Sequence, residues 1–277
     1  MTDKTPRILL VNDDGYGAPG LWALYHRIQS IGEPVIVAPL REQSARSHAV
    51  TVRERMAVQE IEHDGRAVGY RVDGMPADCV KVALSLLYVG QMDLVISGIN
   101  AGSNVGHNIL YSGTVAAAIE GAMYGLPALA VSLRDDRDAP THFDAAACVA
   151  RALALDVLGH GLPPDTILNV NVPDQPLEAL RGMRLTRQGK EAYIDLFELE
   201  HGPDGEVWCV NRGGERLASR PGELPLDDLT LQERYVSITP LHFDLTSAMG
   251  LETMRERLAR LDLARSRQGC PDAPRRS

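Results

Sequence analysis

Two adjacent carboxylates near the N-terminus are the part of the sequence best suited to chemistry. Asp13 and Asp14 closely follow Ile8 to Val11, an apolar run typical of a strand buried on both faces. Neighbouring carboxylates at the mouth of such a strand repel each other and resist burial, and a divalent cation would relieve both effects. The alternative is a solvated turn, because turns favour acidic residues and Gly15 and Gly17 follow. This stretch alone leaves both interpretations open.

Strands and helices alternate along the first two thirds of the chain. Short apolar runs predict strands over 8–11, 34–38, 93–100, 128–132 and 167–172, with shorter strands inside 49–72. Helical spacing of apolar residues predicts helices over 20–31, 76–87, 115–124 and 143–158. Strands alternating with helices at these lengths predict an α/β fold with a mostly parallel sheet.

Polar side chains follow several of these strands. Asn12 precedes the two acids, Ser44 lies in the loop after the second strand, and Ser97 and Asn100 end the strand over 93–100. In an open parallel sheet, ligands bind outside the carboxyl ends of the strands. Every one of these groups is a hard oxygen donor, which suits magnesium or manganese better than structural zinc. Two carboxylates neutralise a divalent ion, so the bound ion can still attract an anionic phosphate.

A second candidate lies at the start of the helix over 115–124. Ser112, Gly113 and Thr114 follow a loop rich in glycine and asparagine. Free backbone N–H groups and the positive end of the helix dipole make such a position an anion site. An ordinary N-cap is the alternative, because caps favour Ser and Thr. Phosphate binding gains support because the preceding strand points toward the carboxylates.

Two competing motifs fit less well. Gly15, Gly17 and Gly20 match the G-x-G-x-x-G dinucleotide pattern, but Asp13 and Asp14 would crowd a pyrophosphate with like charge. The second strand also ends without an acidic residue for a ribose. The haloacid-dehalogenase type of phosphatase requires two aspartates two residues apart, and neither register here supplies both.

The pattern changes after about residue 185. We expect a core over 1–186, which strand 235–241 joins, an extended hairpin arm over 187–234, and a C-terminal helix with a disordered tail over 242–277. A poorly buried arm beside a compact core indicates a subunit contact, so we expect a homo-oligomer formed through the arm.

Composition narrows the functional classes. The 277 residues carry a formal charge of −9, which argues against a surface for a nucleic acid polymer. No apolar run is long enough for a membrane span. The four cysteines, at 79, 148, 209 and 270, form no C-x-x-C pair, which favours a cytoplasmic protein with reduced thiols.

Several of these stretches together resemble a known family. The chain reads I-L-L-V-N-D-D-G-Y-G-A-P-G, then V-I-S-G-I-N-A-G-S-N-V-G, then Y-S-G-T-V-A-A-A-I-E-G, with the similarity extending over about residues 7 to 135. In this combination it resembles SurE, the stationary-phase survival protein family of metal-dependent 5′/3′-nucleotidases.

The resemblance implies a three-layer Rossmann-like core and one divalent metal ion per subunit, held by Asp13, Asp14, Ser44 and Asn100. It implies hydrolysis of nucleoside monophosphates to nucleoside and phosphate, in some members with activity on short polyphosphate. It also implies dimers or tetramers with exchanged C-terminal segments. The family's second loop commonly reads R-S-G-A-S, whereas this chain has Q-S-A-R-S over 43–47, so the choice between Ser44 and Ser47 stays open.

The combined hypothesis is a metal-dependent phosphomonoesterase. Asp13 or Asp14 takes a proton from the attacking water, and the choice between them stays open. The remaining phosphate and substrate contacts are assigned to Asn12, Asn104, Asn108, Ser112, Gly113 and Thr114. The alternatives are an NAD(P)-binding oxidoreductase and a non-catalytic nucleotide sensor.

Overall fold

The computed structural model describes residues 5–134, 141–189, 193–216 and 224–261. Its strands, in chain order, are β1 (Arg7–Val11), β2 (Glu33–Pro39), β3 (Val58–His63), β4 (Arg66–Val72), β5 (Leu94–Ala101), β6 (Ala128–Leu133), β7 (Thr166–Val172), β8 (Met183–Leu185), β9 (Tyr193–His201), β10 (Val207–Arg216) and β11 (Val236–His242). Its α-helices are α1 (Pro19–Ile28), α2 (Pro76–Val82), α3 (Gly113–Met123), α4 (Phe143–His160), α5 (Asp227–Gln232) and α6 (Ala248–Leu258).

One large sheet organises the fold, with its strands in the order β3-β4-β2-β1-β5-β6-β7-β11-β8. The six strands from β4 to β7 in this order pair in parallel, while β3 and β11 each add an antiparallel pair. The predicted mostly parallel α/β sheet is therefore confirmed. Since β1 lies inside the parallel run, its carboxyl end meets those of β2 and β5.

Helices cover both faces of this sheet. Ile8 and Leu10 pack in a cluster with residues of α1 and α4, whereas Leu9 and Val11 pack with residues of α2 and α3. Successive residues of a strand point to opposite faces, so β1 contributes to both clusters and is buried throughout its apolar run. The three-layer arrangement follows from this alternation.

The α2 region departs from the simple helix predicted over 76–87. The α-helix ends at Val82, and a single π-helical turn continues over Ala83–Leu87. Pro76 lies in the first helical turn, where its missing N–H costs no hydrogen bond.

The region after β8 contains the hairpin of the predicted arm. Among the described residues, strands β9 and β10 pair with each other in an antiparallel two-stranded sheet. The short helix α5 also falls within 187–234 and contacts β7 and β11 of the large sheet. The division into core, arm and C-terminal segment stays a prediction.

Residues 243–277 form a separate unit, within which the structure describes residues up to 261, including helix α6. The disordered tail predicted at the end of 242–277 and Cys270 lie outside the described residues. Within the described ranges Cys79, Cys148 and Cys209 are free thiols. None of the helices there combines the length and the apolar character that crossing a bilayer requires.

A buried carboxylate fixes the start of α2 to the chain before β3. Asp78 accepts hydrogen bonds from the Thr51 backbone N–H (3.0 Å) and hydroxyl (2.7 Å), and from the Met75 N–H (2.9 Å). Only 2% of Asp78 is exposed. Three donors therefore depend on one side chain that water barely reaches.

We expect Asp78→Ala to lower the free energy of unfolding by about 2–4 kcal/mol, because it leaves buried donors without an acceptor. Urea denaturation at pH 7 measures this. The control Asp156→Ala, on the exposed side of α4, should change the free energy by less than about 0.5 kcal/mol. Equal effects of the two substitutions would show that the hydrogen bonds of Asp78 contribute no more stability than an exposed carboxylate does.

Candidate metal and phosphate site

The turn after β1 is held by Asn12. This residue is fully buried, and its amide nitrogen donates to the carbonyl of Gly15 at 2.8 Å. Gly15 has φ +94°, which L side chains rarely adopt. The turn therefore depends on a buried carboxamide and a glycine, and it places the two following carboxylates at the carboxyl edge of the sheet.

Asp13 lies against the start of α3 and is only 4% exposed. The Thr114 hydroxyl donates to its Oδ1 at 2.5 Å. A methyl group added at Gly113 would lie 2.9 Å from the Asp13 Cβ, so only glycine permits this approach. Burial raises the pKa of the Asp13 carboxyl, although hydrogen bonds from the Thr114 hydroxyl and backbone act in the opposite direction.

Asp14 is half-buried and contacts β5. Its Oδ2 accepts the backbone N–H of Ala101 at 3.1 Å. Burial, followed by the negative charge of Asp13, raises the pKa of Asp14 to about 6. The two acids therefore contact two different elements, and the charge of Asp13 makes the ionised form of Asp14 less favourable.

The loop after β2 crosses the same edge of the sheet. Gln43 donates its backbone N–H to the Asp13 carbonyl at 2.7 Å. Further along, Ser47 donates its hydroxyl to the Leu110 carbonyl at 2.7 Å. The loop is thus attached to β1 at one end and, at the other, to the 3₁₀ helix Gly106–Tyr111 that precedes α3.

The hydrogen bonds of Ser44 and Ser47, the two serines considered as metal ligands, differ. The Ser47 hydroxyl is bound to a backbone carbonyl outside its own loop, whereas the Ser44 hydroxyl donates to the neighbouring Glu42 Oε1 at 2.6 Å. Ser44 also directly follows the residue bound to Asp13. Ala45, where the family commonly has glycine, adopts φ +57°, so the loop keeps a glycine-like turn at this position.

Asn100 lies near the end of β5, next to the residue that binds Asp14. Its amide nitrogen donates to the Gly102 carbonyl at 2.6 Å. This bond fixes the amide group, and the carboxamide oxygen is the atom that can accept a cation. Ser97, which also belongs to β5, is fully buried within the sheet.

The residues assigned to phosphate fall into two groups. Ser112 is an N-cap that accepts the Val115 N–H at 3.1 Å, while the adjacent Gly113 and Thr114 contact Asp13. Asn108 is exposed on the 3₁₀ helix. The structure therefore shows the N-cap at Ser112 and places this end of α3 against Asp13, while phosphate binding there stays a prediction.

Asn104 occupies a different position. Its amide nitrogen donates to the Ser132 hydroxyl at 2.8 Å, and its backbone N–H donates to Asn171 at 2.8 Å. Asn169 and Asn171 in turn donate to its carbonyl. The structure therefore makes Asn104 part of a buried polar network between β6 and β7, and it does not bring this side chain to Asp13 or Asp14.

The sequence analysis missed an ionic cluster that joins α2, α3 and the loop after β2. Glu120 of α3 is bound to Lys81 at 2.6 Å and to the ring of His48 at 2.9 Å. Burial raises the pKa of the Glu120 carboxyl, but the bonds to His48 and Lys81 outweigh burial and leave it below its ordinary value. Glu120 sits in an otherwise alanine-rich helix, and no local spacing signals its partners.

The donor set fits a hard divalent cation. The Oδ1 atom of Asn12 is buried and has no hydrogen-bond partner among the described residues. Asp13 and Asp14 both resist ionisation in the absence of a cation. In the described ranges, no three His, Cys, Asp or Glu side chains form a metal-binding group, so serine and asparagine oxygens have to complete a coordination shell.

The G-x-G-x-x-G match over 15–20 has an explanation in the local packing that does not require a bound dinucleotide. A methyl group added at Gly20 would lie 2.1 Å from the Ile99 carbonyl oxygen, so this glycine allows α1 to pack closely against β5. Gly15 permits the turn, and the two carboxylates occupy the edge where a dinucleotide would place its pyrophosphate. No contact in the described site favours dinucleotide binding.

Known proteins resemble this chain over most of its length. A family model described as "Survival protein SurE" matches residues 8–195. The protein named 5′-nucleotidase SurE from Geobacter sp. (strain M21) is 43% identical over 250 residues, covering 90% of this chain and 98% of the relative. The protein of the same name from Syntrophobacter fumaroxidans is 40% identical with the same coverage.

A solved structure shares the fold. The crystal structure of the SurE protein from Aquifex aeolicus superposes with a TM-score of 0.79 at 38% sequence identity, covering 92% of this chain and 100% of that chain. The family match and the identity over most of both chains show that this chain belongs to the SurE family.

Proposed function

We propose that this chain is a metal-dependent phosphomonoesterase that hydrolyses nucleoside 5′-monophosphates to nucleoside and phosphate. The observation that carries the proposal is the position of Asp13, a buried carboxylate placed against the N-terminal end of α3 beside a second carboxylate. A helix N-terminus attracts anions, and paired acids attract a cation, so together they suit a cation–phosphate complex. Relatives named 5′-nucleotidase SurE support the same activity.

Asp13, Asp14, Ser44 and Asn100 would hold one divalent ion, magnesium or manganese. Such an ion supplies positive charge to the phosphate oxygens and lowers the pKa of a nearby water. Two carboxylates with neutral serine and asparagine ligands leave little excess negative charge to repel the substrate. The bonds of Asp14 to Ala101 and of the Gln43 N–H to Asp13 fix the backbone that carries these ligands.

The chain's own residues would bind and orient the ester. The positive end of α3 stabilises negative charge that develops on phosphate oxygens, and the exposed Asn108 lies within the 3₁₀ helix that leads into it. The Ser112 and Thr114 hydroxyls are already engaged with Val115 and Asp13, so they position this helix end. Asn12 holds the turn that carries both acids.

Asp14 is the proposed general base. It is more exposed than Asp13, whose Oδ1 already accepts the Thr114 hydroxyl. In the proposed step the water oxygen forms a bond to phosphorus, the ester P–O bond breaks in line with it, and the water proton passes to Asp14. The nucleoside oxygen leaves and takes a proton from solvent, while Asp14 releases the water proton to solvent, which completes the hydrolysis and regenerates the base.

We also propose that the enzyme accepts 3′-nucleotides and short polyphosphate as substrates and that it is cytoplasmic.

For the assembly, we propose a homodimer or tetramer formed through the hairpin β9–β10. The hairpin exposes several large apolar side chains, namely Leu196, Phe197, Leu199, Val207 and Trp208. Exposed apolar surface of this kind marks interaction sites. Light scattering tests the assembly, and a monomer would contradict it.

We expect Asp13→Asn and Asp14→Asn each to reduce turnover of AMP by about 100-fold or more with magnesium or manganese present, because each removes a metal ligand and Asp14 also the base. Phosphate release over a panel of nucleoside monophosphates measures this. The control Asp64→Asn, in the exposed turn at the opposite edge of the sheet, should keep normal activity. Near-normal activity of Asp14→Asn would refute the assignment.

The same assay separates the alternatives. Phosphate release that stops when a chelator is added supports the phosphomonoesterase. Nucleotide binding without release would indicate a non-catalytic sensor, and tight NAD(P) binding without metal would indicate an oxidoreductase.

The raised pKa of Asp14 gives a pH-dependent prediction for the metal-free protein. A carboxyl with a folded-state pKa of about 6, above its unfolded value of 3.8, favours folding fully below pH 3.8, and this contribution is lost as pH rises through 6. In chelator at pH 7.5, Asp14→Asn should therefore be more stable than wild type, by about 1–2 kcal/mol after allowance for partial exposure. Near pH 4.5 this advantage should shrink.

Urea denaturation at the two pH values, with EDTA and with manganese, measures the difference. Manganese should stabilise wild type more than Asp14→Asn, because binding to the folded state adds to its stability. A wild-type protein that is more stable than the variant by the same amount in EDTA at both pH values would contradict the prediction.

A further inference from the structure

Glu42 lies beside the proposed metal site without belonging to the ligand set. A methyl group added at Gly15 would lie 3.4 Å from the Glu42 backbone nitrogen, so the two backbones are in close contact. The following residue, Gln43, donates its N–H to the Asp13 carbonyl at 2.7 Å. Backbone contacts on both sides therefore hold Glu42 next to the turn that carries the two acids.

The Glu42 side chain accepts the Ser44 hydroxyl at 2.6 Å. A serine hydroxyl has one hydrogen and two lone pairs. When the hydrogen is donated to a carboxylate, the lone pairs remain for a cation, and the hydrogen cannot point at it. Carboxylates that orient a metal ligand in this way are common outside the ligand shell and raise the affinity for the ion.

The geometry favours an indirect role for Glu42. Asp13, Asp14 and Glu42 would be a three-acid group if they converged, yet the described residues contain no metal-binding cluster of three such side chains. The contact of Glu42 with the proposed ligand set is instead the hydrogen bond that its carboxylate accepts from Ser44.

We propose that Glu42 is a positioning residue for the divalent cation, which orients the Ser44 hydroxyl for coordination and increases the affinity for magnesium or manganese. This inference rests on the proposed function, because it assumes the cation held by Asp13, Asp14, Ser44 and Asn100. It adds a residue that composition and motif had not indicated.

Calorimetric titration of EDTA-treated, full-length protein with manganese tests the proposal without measuring activity. Glu42→Ala should weaken manganese binding by about tenfold or more, because both the acceptor and the charge are lost. Glu42→Gln keeps an acceptor for Ser44 and should lose clearly less affinity than Glu42→Ala. Glu33→Gln removes the same charge at the opposite end of β2, roughly 20 Å along the strand, and should bind like wild type.

A double-mutant cycle isolates the hydrogen bond. In a Ser44→Ala background, Glu42→Ala should cost markedly less affinity than it does in wild type, because the hydroxyl that it orients is absent. Thermal unfolding in EDTA should be similar for wild type and all variants, because Glu42 and Ser44 are exposed. This measurement separates loss of metal from loss of fold.

The outcomes are distinct. Wild-type affinity in Glu42→Ala would overturn the inference, and equal losses in Glu42→Gln and Glu42→Ala would show that Glu42 does not act through the hydrogen bond. An unchanged effect of Glu42→Ala in the Ser44→Ala background would do the same. Failure of the proposed function would appear differently, as a wild-type protein that binds no manganese.

Discussion

The structure depends on one costly arrangement, a carboxylate that is almost completely buried beside a second carboxylate. Asp13 is placed there by its own strand and by the close approach of Gly113 and Thr114 at the start of α3. Burial of a charge without a counter-ion is unfavourable, and the negative charge of Asp13 in turn makes ionisation of Asp14 less favourable. A divalent cation between the two carboxylates would offset this cost, and the proposed phosphomonoesterase would use that cation to bind the phosphate ester.

The surrounding fold makes the arrangement rigid. Parallel pairing of β1 with β2 and β5 brings three strand ends to one edge, and the loop after β2 is bonded to both Asp13 and the segment before α3. Glu120, with Lys81 and His48, ties α3 to the far end of that loop. Because the proposed ligands come from three segments, namely the turn after β1, the loop after β2 and strand β5, they converge only when all three segments are folded. The few contacts that hold this edge together therefore support both the stability of the fold and the geometry of the proposed site.

Much of this was accessible from sequence because it depends on local patterns. The apolar run of β1, the turn glycines and the N-cap at Ser112 each have a short-range physical cause, and strands alternating with helices gave the correct sheet class. Contacts between distant residues have no such signal. Asn104 belongs to a polar network with Asn169 and Asn171, which lie about 65 residues away in the chain. The role proposed for Glu42 depends on its contact with Ser44, which the sequence does not indicate. The motif supplied candidate ligands, but only the packing showed which side chains reach the acids.

The most direct test of the central claim is a crystal of the protein grown with manganese and measured for anomalous scattering. The account predicts a peak between the Asp13 and Asp14 carboxylates, within coordination distance of oxygen atoms from both. A well-ordered crystal that shows no peak there, with the Asp14 side chain turned into solvent, would contradict it.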